Sequence, residues 1–308
     1  MGECEAVLGG GPVGGTYNVF ATAISMYLTK SVPGLEIEVQ GTGGSGANLV
    51  GLDTGRLHLG IVYAGDAHLG REGKLADDPV KRDNVRGVAS LYGAPAQLVV
   101  RADTGITDLA GLAGKRVAVG NQGSGAAVSA QRFFSQLGIW DGLDKQYLGY
   151  SAAASALIDG RIDAFWVLVG WPNASVQDTA TRIPLRLLDL DAAAAKSGFF
   201  TAFPFYSPAV IPAGTYAGQT SEVRTFQDAS IWCAHKDVPA SVIYAALRAI
   251  YSEQGLAALR AATPTARETT LPSGLTGISI PMHPGAARFF KENGMPHPVT
   301  VQTSRPAP

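Results

Sequence analysis

One pattern of apolar and polar positions occurs three times along the chain: an apolar run, a glycine-rich turn and a stretch with helical spacing. In the second copy, apolar and polar residues alternate through 35–39, as they do in a strand with one buried face. The copies, given as strand, turn and helix, are 6–8, 9–17 and 18–30; 35–39, 40–46 and 47–55; and 115–119, 120–125 and 126–137. The pattern therefore predicts three βα units.

The glycine-rich turns of these units are the candidate ligand-binding loops. Such a turn places unpaired backbone N–H groups at a helix N-terminus, where the helix dipole favours negative charge. Parallel strands of an open sheet bring the following loops to one edge, which is where α/β sheets bind ligands. The candidate site residues on these turns are Gly15, Thr16, Tyr17, Thr42, Gly44, Ser45, Asn48, Gln122, Ser124 and Gly125.

Further apolar runs extend the α/β pattern along the chain. The predicted strands are 57–63, 85–92, 96–101, 146–150, 162–169 and 184–188. Residues 64–68 and 170–173 are predicted as turns that face the site, which adds Tyr63, Gly170 and Trp171 to the candidates. The remaining predictions are helices at 151–159 and 174–181, a loop at 204–220, one amphipathic helix at 241–255, a turn and helix at 280–290 and a loose end at 302–308.

The chain is long enough for two lobes. Two of the predicted strands are positioned where the chain would cross from one lobe to the other. The 308 residues correspond to two domains of ordinary size. We place the hinge strands near 97–102 and 224–234. Residues 1–100 and 226–308 then form a discontinuous first lobe from both chain ends, and 101–225 form the second lobe.

Composition narrows the possible partners. Charged residues are 16% of the chain, the net charge is −1 and the pI is near 6.5, which gives no reason to expect nucleic acid or a membrane surface.

Met1 to Cys4 lead directly into the first strand without the basic and apolar regions of a signal peptide. The chain is therefore either cytoplasmic or a form whose leader has been removed. Cys4 and Cys233 either pair or remain two buried thiols, and the sequence leaves both open.

An ordered set of short motifs resembles one family across nearly the whole chain. The chain resembles the TAXI-type solute-binding proteins of tripartite ATP-independent periplasmic (TRAP) transporters. The matching segments are 14–17, 42–45 with Asn48, 91–92, 112–117, 123–125, 156–165, 211–216 and 283–286. Each segment is short and common by itself, whereas their order along the chain is specific.

The resemblance implies a two-lobed, type II-like periplasmic-binding-protein fold, in which each lobe is a mixed sheet flanked by helices. It implies closure over a small organic anion such as glutamate, glutamine or a related dicarboxylate, delivery to a TRAP membrane permease, and an extracytoplasmic monomer without a cofactor. Family members often have Thr directly after the Gly-Ser-Gly turn, where this chain has Ala126. The lost hydroxyl suggests a different ligand or a water in its place.

Within this expectation, the turn residues divide into two roles. Backbone N–H groups and the side chains of Thr16, Thr42, Ser45, Gln122 and Ser124 would hold the ligand carboxylate. Asn48 and Tyr63 would contact the part of the ligand beyond its carboxylate. The rings of Tyr17, Tyr63 and Trp171 either cover an aliphatic ligand stem or pack at the lobe interface.

One alternative function remains, a dinucleotide-dependent oxidoreductase. Gly9, Gly11 and Gly14 match the spacing of the dinucleotide fingerprint, with Glu36 or Glu38 at a suitable distance. Against it, Pro12 lies inside the turn, and two further glycine-rich turns stay unexplained. The serines in the glycine-rich turns do not match the nucleophile-elbow pattern, so we do not expect an enzyme. The five histidines show no metal-ligand spacing, so we do not expect a metal site.

Overall fold

The structure is a computed structural model that describes residues 4–11, 16–75, 78–122 and 124–295. The strands are β1 (Cys4–Gly9), β2 (Leu35–Gln40), β3 (Leu59–Tyr63), β4 (Val85–Arg101), β5 (Arg116–Ala118), β6 (Asp144–Gln146), β7 (Ala164–Leu168), β8 (Leu185–Leu187), β9 (Ser207–Ile211) and β10 (Val223–His235). The helices are α1 (Thr16–Ser31), α2 (Ser45–Asp53), α3 (Ala64–Glu72), α4 (Gly125–Gln136), α5 (Tyr150–Ile158), α6 (Ala174–Arg182), α7 (Asp191–Lys196), α8 (Phe199–Ala202), α9 (Ala240–Ile250), α10 (Glu253–Ala262) and α11 (Pro284–Glu292).

The chain divides into two compact α/β units. Unit 1 contains the described residues up to Tyr92 and those from Ala229 onward, and unit 2 runs from Gly93 to Asp228. We predicted that the lobes divide after residues 100 and 225, whereas the two units divide after residues 92 and 228. The cause is that both crossings lie inside long continuous strands, β4 and β10.

Unit 1 is built on a sheet with the strand order β2-β1-β3-β10. Strand β1 is parallel to both β2 and β3, and β10 is antiparallel to β3. The alternation in β2 is real, because Leu35 and Ile37 are buried while Glu36 and Glu38 are exposed. The apolar side chains of α1 at Phe20, Ile24 and Leu28 are fully buried, as their spacing of four residues requires.

Unit 2 contains a second sheet with the order β4-β7-β5-β6. Strand β5 is parallel to β6 and to β7, whereas β4 is antiparallel to β7. Its core is aromatic: Phe133 stacks on Trp166 with ring centroids 5.7 Å apart, and Phe199 and Phe226 pack at 4.7 Å. The buried Trp166 indole N–H donates to Ser129 Oγ at 2.9 Å, which satisfies the one polar group of that ring.

Three predicted elements differ from those observed in unit 1 or at its crossings. Residues 64–68, predicted as a turn, form the first half of α3, which begins directly after β3 with Tyr63 at its N-cap position. The two strands predicted between 85 and 101 are one strand, since Gly93 and Pro95 remain extended and buried. The helix predicted at 241–255 breaks after Ile250, because the Ser252 hydroxyl accepts from Gly255 N and starts α10.

Two predicted elements also differ in unit 2. The loop predicted at 204–220 contains the strand β9, which pairs with β10 through five residue pairs from Ser207 to Ile211. The strand predicted at 146–150 ends at Gln146, and Tyr150 already begins α5. Both errors arise because a short strand is defined by its partner rather than by its own sequence. The predicted loose end at 302–308 lies outside the described residues.

Candidate functional site

The candidate site of unit 1 lies at the edge where β1, β2 and β3 end. Because these strands are parallel, the turn after Gly9, the turn after Gln40 and the start of α3 after Tyr63 share one edge. Helices α1, α2 and α3 all begin there. Backbone N–H groups at helix N-termini favour negative charge, so the prediction of an anion site at this edge stays a prediction.

Thr42 joins the first two turns. Its hydroxyl accepts from Gly11 N at 3.0 Å and from Gly44 N at 3.3 Å, and donates to Asn48 Oδ1 at 2.6 Å. Its own backbone N–H donates to Gly11 O at 3.0 Å. Thr42 therefore fixes the geometry of the two loops, and its predicted contact with a carboxylate stays a prediction.

The structure shows a structural role for Asn48 that the sequence did not predict. The residue is 0% exposed. Its amide nitrogen donates to Gly9 O at 3.1 Å and to Ile61 O at 2.8 Å, and its amide oxygen accepts from Thr42. Both amide protons of Asn48 are therefore donated inside the protein, and its contact with a ligand stays a prediction. Asn48 ties β1, β3 and the second turn together.

Ser45 and Asp66 form a polar contact between two of the helix N-termini. The Ser45 hydroxyl donates to Asp66 Oδ2 at 2.6 Å and accepts from Tyr63 N at 2.9 Å. Ser45 is the first residue of α2, and Asp66 lies in the first turn of α3. Sequence reasoning assigned no role to Asp66, because nothing in its local pattern shows that it meets a serine 21 residues earlier.

An aromatic cluster lies beside these turns. The ring centroids of Tyr17 and Tyr63 are 5.5 Å apart, and Tyr17 is 6.5 Å from Tyr92. Phe20 stacks on Tyr92 at 4.9 Å. Tyr17 is 8% exposed and therefore largely packed, whereas Tyr63 is half-buried. Burial raises the pKa of Tyr92 above its usual range, so this phenol stays neutral.

Unit 2 has an equivalent edge where the parallel strands β5, β6 and β7 end. Helices α4, α5 and α6 begin after these three strands. The Ser124 hydroxyl accepts from Ala127 N at 3.1 Å and so caps α4, and Gly125 is the first residue of that helix. Gln122 is exposed on the same turn. Asn173 caps α6 by accepting from Ser175 N and Val176 N.

Trp171 and Tyr150 show how far packing accounts for the aromatic residues of this edge. Trp171, with Gly170, follows β7 and packs half-buried against the apolar core of unit 2. Tyr150 Oη donates to Leu168 O and accepts from Leu168 N, both at 3.1 Å. Its burial raises the pKa of Tyr150 to about 12. The ring of Tyr150 was missed because its position was assigned to a strand.

The predicted residues thus fall into two groups of strand-end turns. Unit 1 brings together Thr16, Tyr17, Thr42, Gly44, Ser45, Asn48 and Tyr63, and unit 2 brings together Gln122, Ser124, Gly125, Gly170 and Trp171. Gly14 and Gly15 lie outside the described residues. Ala126 is buried at 5% exposure in α4, so a hydroxyl at this position would point into a packed region rather than onto the open turn.

A family model described as NMT1-like matches residues 8–294. The chain belongs to the NMT1-like family. That match covers both units and both edges of strand-end turns.

Solved structures that resemble this NMT1-like chain share its fold at low sequence identity. The periplasmic aliphatic sulphonate binding protein SsuA from Escherichia coli has a TM-score of 0.54 and 15% identity, with 98% of this chain and 97% of that chain covered. A TctC solute binding protein from Polaromonas has a TM-score of 0.53 and 15% identity, with 84% and 86% covered. XAC2383 from Xanthomonas citri, bound to ATP, has a TM-score of 0.52 and 14% identity, with 94% of each chain covered. The fold is that of two-lobed periplasmic binding proteins.

The strand order of the NMT1-like chain bears on the dinucleotide alternative. In the Rossmann order 3-2-1-4-5-6, the third strand lies beyond the second. Here β3 lies on the opposite side of β1 from β2. The chain leading into β3 therefore crosses to the other side of β1, so the glycine-rich turn after β1 does not belong to a Rossmann arrangement.

Both cysteines, Cys4 and Cys233, are free thiols, and two of the described histidines, His58 and His283, accept hydrogen bonds from backbone N–H groups. Burial raises the pKa of Cys233. His283 caps α11, and His58 Nδ1 accepts from Val7 N. Among residues 4–11, 16–75, 78–122 and 124–295, no group of three or more His, Cys, Asp or Glu side chains is arranged to hold a metal. No helix in those same ranges has the length and hydropathy of a membrane span.

Proposed function

We propose that this protein is an extracytoplasmic solute-binding protein that captures a small organic anion and delivers it to a membrane permease. The supporting observation is that, in each unit, three parallel strands end at one edge of the sheet and the helices that follow them begin there. Backbone N–H groups at such termini bind carboxylates without a cationic side chain. Two of the similar structures are a periplasmic aliphatic sulphonate binding protein and a TctC solute binding protein.

The ligand class in this proposal is glutamate, glutamine or a related dicarboxylate, and the partner is a TRAP permease. Both come from the resemblance to TAXI-type proteins, whose ordered motifs span the chain. We propose that closure of the two units captures the ligand, as the resemblance implies. Binding requires no covalent chemistry, and the turns supply hydrogen-bond donors rather than a nucleophile with its base.

Calorimetric titration tests the ligand class directly. The protein is unfolded and refolded to remove any ligand carried through purification, and is then titrated with glutamate, glutamine and 2-oxoglutarate. Micromolar or tighter binding of one of them supports the proposal. Binding of NAD or NADP, with no heat from any carboxylate, would instead support the oxidoreductase.

A matched pair of variants tests the unit 2 turn. Gln122 is exposed on the turn before α4, and Gln177 is exposed on α6. We expect Gln122→Ala to weaken binding roughly 10-fold or more, the value of a hydrogen bond to a charged ligand group, without a change in the free energy of unfolding. Gln177→Ala should leave both unchanged. Equal affinity of the Gln122→Ala and wild-type proteins would remove this turn from the site.

The permease assignment has its own test. Transport in reconstituted vesicles that contain a TRAP permease should depend on this protein and proceed without ATP. Uptake that requires ATP hydrolysis would contradict the TRAP partner while leaving ligand binding in place.

A further inference from the structure

A cavity in unit 2 lies beside the short strand β8. Its volume is about 680 Å³, which is within the range of roughly 300–1,000 Å³ that holds a ligand the size of a few amino acids. Its lining includes residues 180–187, which run from the end of α6 through β8, and residues 217–221. All of the lining residues belong to unit 2.

This cavity is separate from the candidate site of unit 2. Val100 of β4 pairs with Ala164, where β7 begins. The next residue of β4, Arg101, pairs with Leu185 of β8. The turn that carries Trp171 follows the other end of β7. The cavity therefore lies near the start of this strand, and the predicted ligand turn lies at its end.

The backbone of β8 has one edge that β4 does not use. Leu188 N donates to Leu98 O, and Pro184 O accepts from the residue that follows β4. In an antiparallel pair, successive residues alternate between positions that bond to the partner strand and positions that do not. The N–H and C=O groups of Leu185 and Leu187 therefore point away from β4, and both residues line the cavity.

This edge of β8 is open. Within the part of the chain that the structure describes, no hydrogen bond outside the strand pairs involves the backbone of Leu185 or Leu187. The edge thus presents two N–H and two C=O groups to the cavity. An extended chain can add to such an edge as a further strand.

The outer edge of β9 shows the opposite arrangement. Arg224 N donates to Asp189 Oδ1, and Arg224 O accepts from Leu190 N, so the backbone of Arg224 faces away from β9. By the same alternation, Val210 and Pro208 have their backbone groups on the outer edge of β9. Proline has no N–H to offer a further strand. The outward-facing positions of β8 carry no such block.

Charge indicates which kind of chain would bind, because a short edge strand by itself is a poor partner. Among the described residues that line the cavity, Arg182 and Arg186 are charged, and none is Asp or Glu. Arg186 Nη1 donates to the carbonyl of Ile106 at 2.9 Å, and Arg186 forms no salt bridge with a described carboxylate. The positive lining is complementary to acidic side chains.

We propose that the edge of β8 binds an extended segment of a partner protein that carries acidic side chains. The segment pairs with the backbone of Leu185 and Leu187, and its carboxylates lie near Arg182 and Arg186. An edge of this length gives a small contact and therefore a weak, transient complex. The inference is independent of the ligand in the proposed function.

A six-residue peptide of alternating valine and glutamate is the probe. Leu187 packs in the apolar core of unit 2, and Arg186 is on the opposite face of β8 because successive side chains of a strand alternate. An added strand should therefore be apolar on one face and acidic on the other. Fluorescence anisotropy of the dye-labelled peptide measures its affinity.

Two altered peptides separate backbone pairing from charge. A fully N-methylated version keeps the side chains but donates no backbone hydrogen bond. It should bind roughly 10-fold or more weakly, as expected for the loss of two such bonds. A peptide of alternating valine and lysine should also bind more weakly than the valine–glutamate peptide.

Arg182→Gln and Arg161→Gln are a matched pair of variants. Both arginines belong to unit 2, are largely exposed and pair with one aspartate at 3.0 Å, and of the two Arg182 lines the cavity. We expect Arg182→Gln to weaken binding of the valine–glutamate peptide roughly 2- to 5-fold, as for an exposed ion pair. Arg161→Gln should leave the affinity unchanged.

Hydrogen exchange measured by NMR locates the bound peptide. In the free protein, the amides of Leu185 and Leu187 should exchange faster than the amide of Arg186, which bonds to β4. The valine–glutamate peptide should slow the exchange of Leu185 and Leu187.

Several results would overturn the proposal. They are no binding of the valine–glutamate peptide at millimolar concentration, equal binding of its N-methylated version, and an equal loss of affinity in the two arginine variants. Protection of other strands without Leu185 and Leu187 would have the same meaning. Displacement of the peptide by inorganic phosphate at equal concentration would show a site for small anions instead.

Discussion

Asn48 joins three segments of unit 1 from a position without solvent exposure. It donates to Gly9 O and Ile61 O and accepts from Thr42 Oγ1. The sequence marked this residue because it follows a glycine-rich turn. Its burial could not be predicted in this way, because the two carbonyls it bonds belong to strands 39 residues earlier and 13 residues later.

Substitution of Asn48 should therefore affect stability before it affects the ligand. We expect Asn48→Ala to lower the free energy of unfolding by roughly 2–4 kcal/mol, since each buried carbonyl left without a donor costs about 1–3 kcal/mol. Urea denaturation measures the change. Gln40→Ala, which removes an exposed amide at the end of β2, is the control and should stay within about 0.5 kcal/mol of wild type. A stable Asn48→Ala protein with lost binding would support the predicted ligand role.

His283 gives the protein a dependence on pH. It is 1% exposed, its Nδ1 accepts from Gly285 N, and its Nε2 proton is donated to Val238 O at 2.8 Å. Burial, aided by the charge of Arg86, lowers the pKa of His283 below 6.5. Below pH 6.5 the unfolded chain therefore binds more protons than the folded one, and stability falls as the pH is lowered.

We expect Asn at position 283 to reduce that dependence. His283→Asn keeps an acceptor for the cap of α11 but does not titrate, so its free energy of unfolding should fall less than that of wild type between pH 7.5 and 5.5. Urea titrations at both pH values measure the difference. An identical fall in the two proteins would show that other groups control acid stability.

At the scale of elements, the two helices α9 and α11 meet at a glycine. A Cβ atom added to Gly285, the second residue of α11, would lie well inside van der Waals contact with Ala240 O. Gly46, the second residue of α2, has nothing within 4 Å of such an atom. These two positions form a matched pair, because both are second residues of helices and neither has a positive φ.

Alanine at these two positions should have opposite effects. Gly285→Ala should destabilise by about 1–3 kcal/mol or more, because backbone cannot yield as a flexible side chain does. Gly46→Ala should stabilise by about 0.4–1 kcal/mol through the lower entropy of the unfolded chain. Thermal and urea unfolding measure both. Equal effects would contradict the close approach of α11 to α9.

At the scale of the whole molecule, the chain passes between its units within β4 and β10. The two strands were predicted as hinge regions at 97–102 and 224–234, and the observed divisions lie at 92/93 and 228/229. Strand β4 is buried along nearly its whole length. Because the residues on both sides of Gly93 are extended and buried, the strand continues without a break through the division between the units.

The proposed ligand should stabilise the folded molecule by mass action. At a free concentration 100 times Kd, a ligand that binds only the folded state adds about 2.7 kcal/mol to the free energy of unfolding. Urea midpoints with and without glutamate measure this increase. At the same glutamate concentration, Gln122→Ala should show a smaller increase. No increase at saturating concentration would contradict specific binding of that ligand.

The sequence by itself determined the αβ alternation and the three glycine-rich turns. These properties follow from local pattern, namely the period of buried positions in β2 and the glycines that precede the helices. Only the tertiary structure decided that Asn48 is internal, that Ser45 meets Asp66, and that β9 pairs with β10. The physical reason is that hydrogen bonds between segments far apart in sequence leave no periodic signal in either segment, whereas burial of one face does.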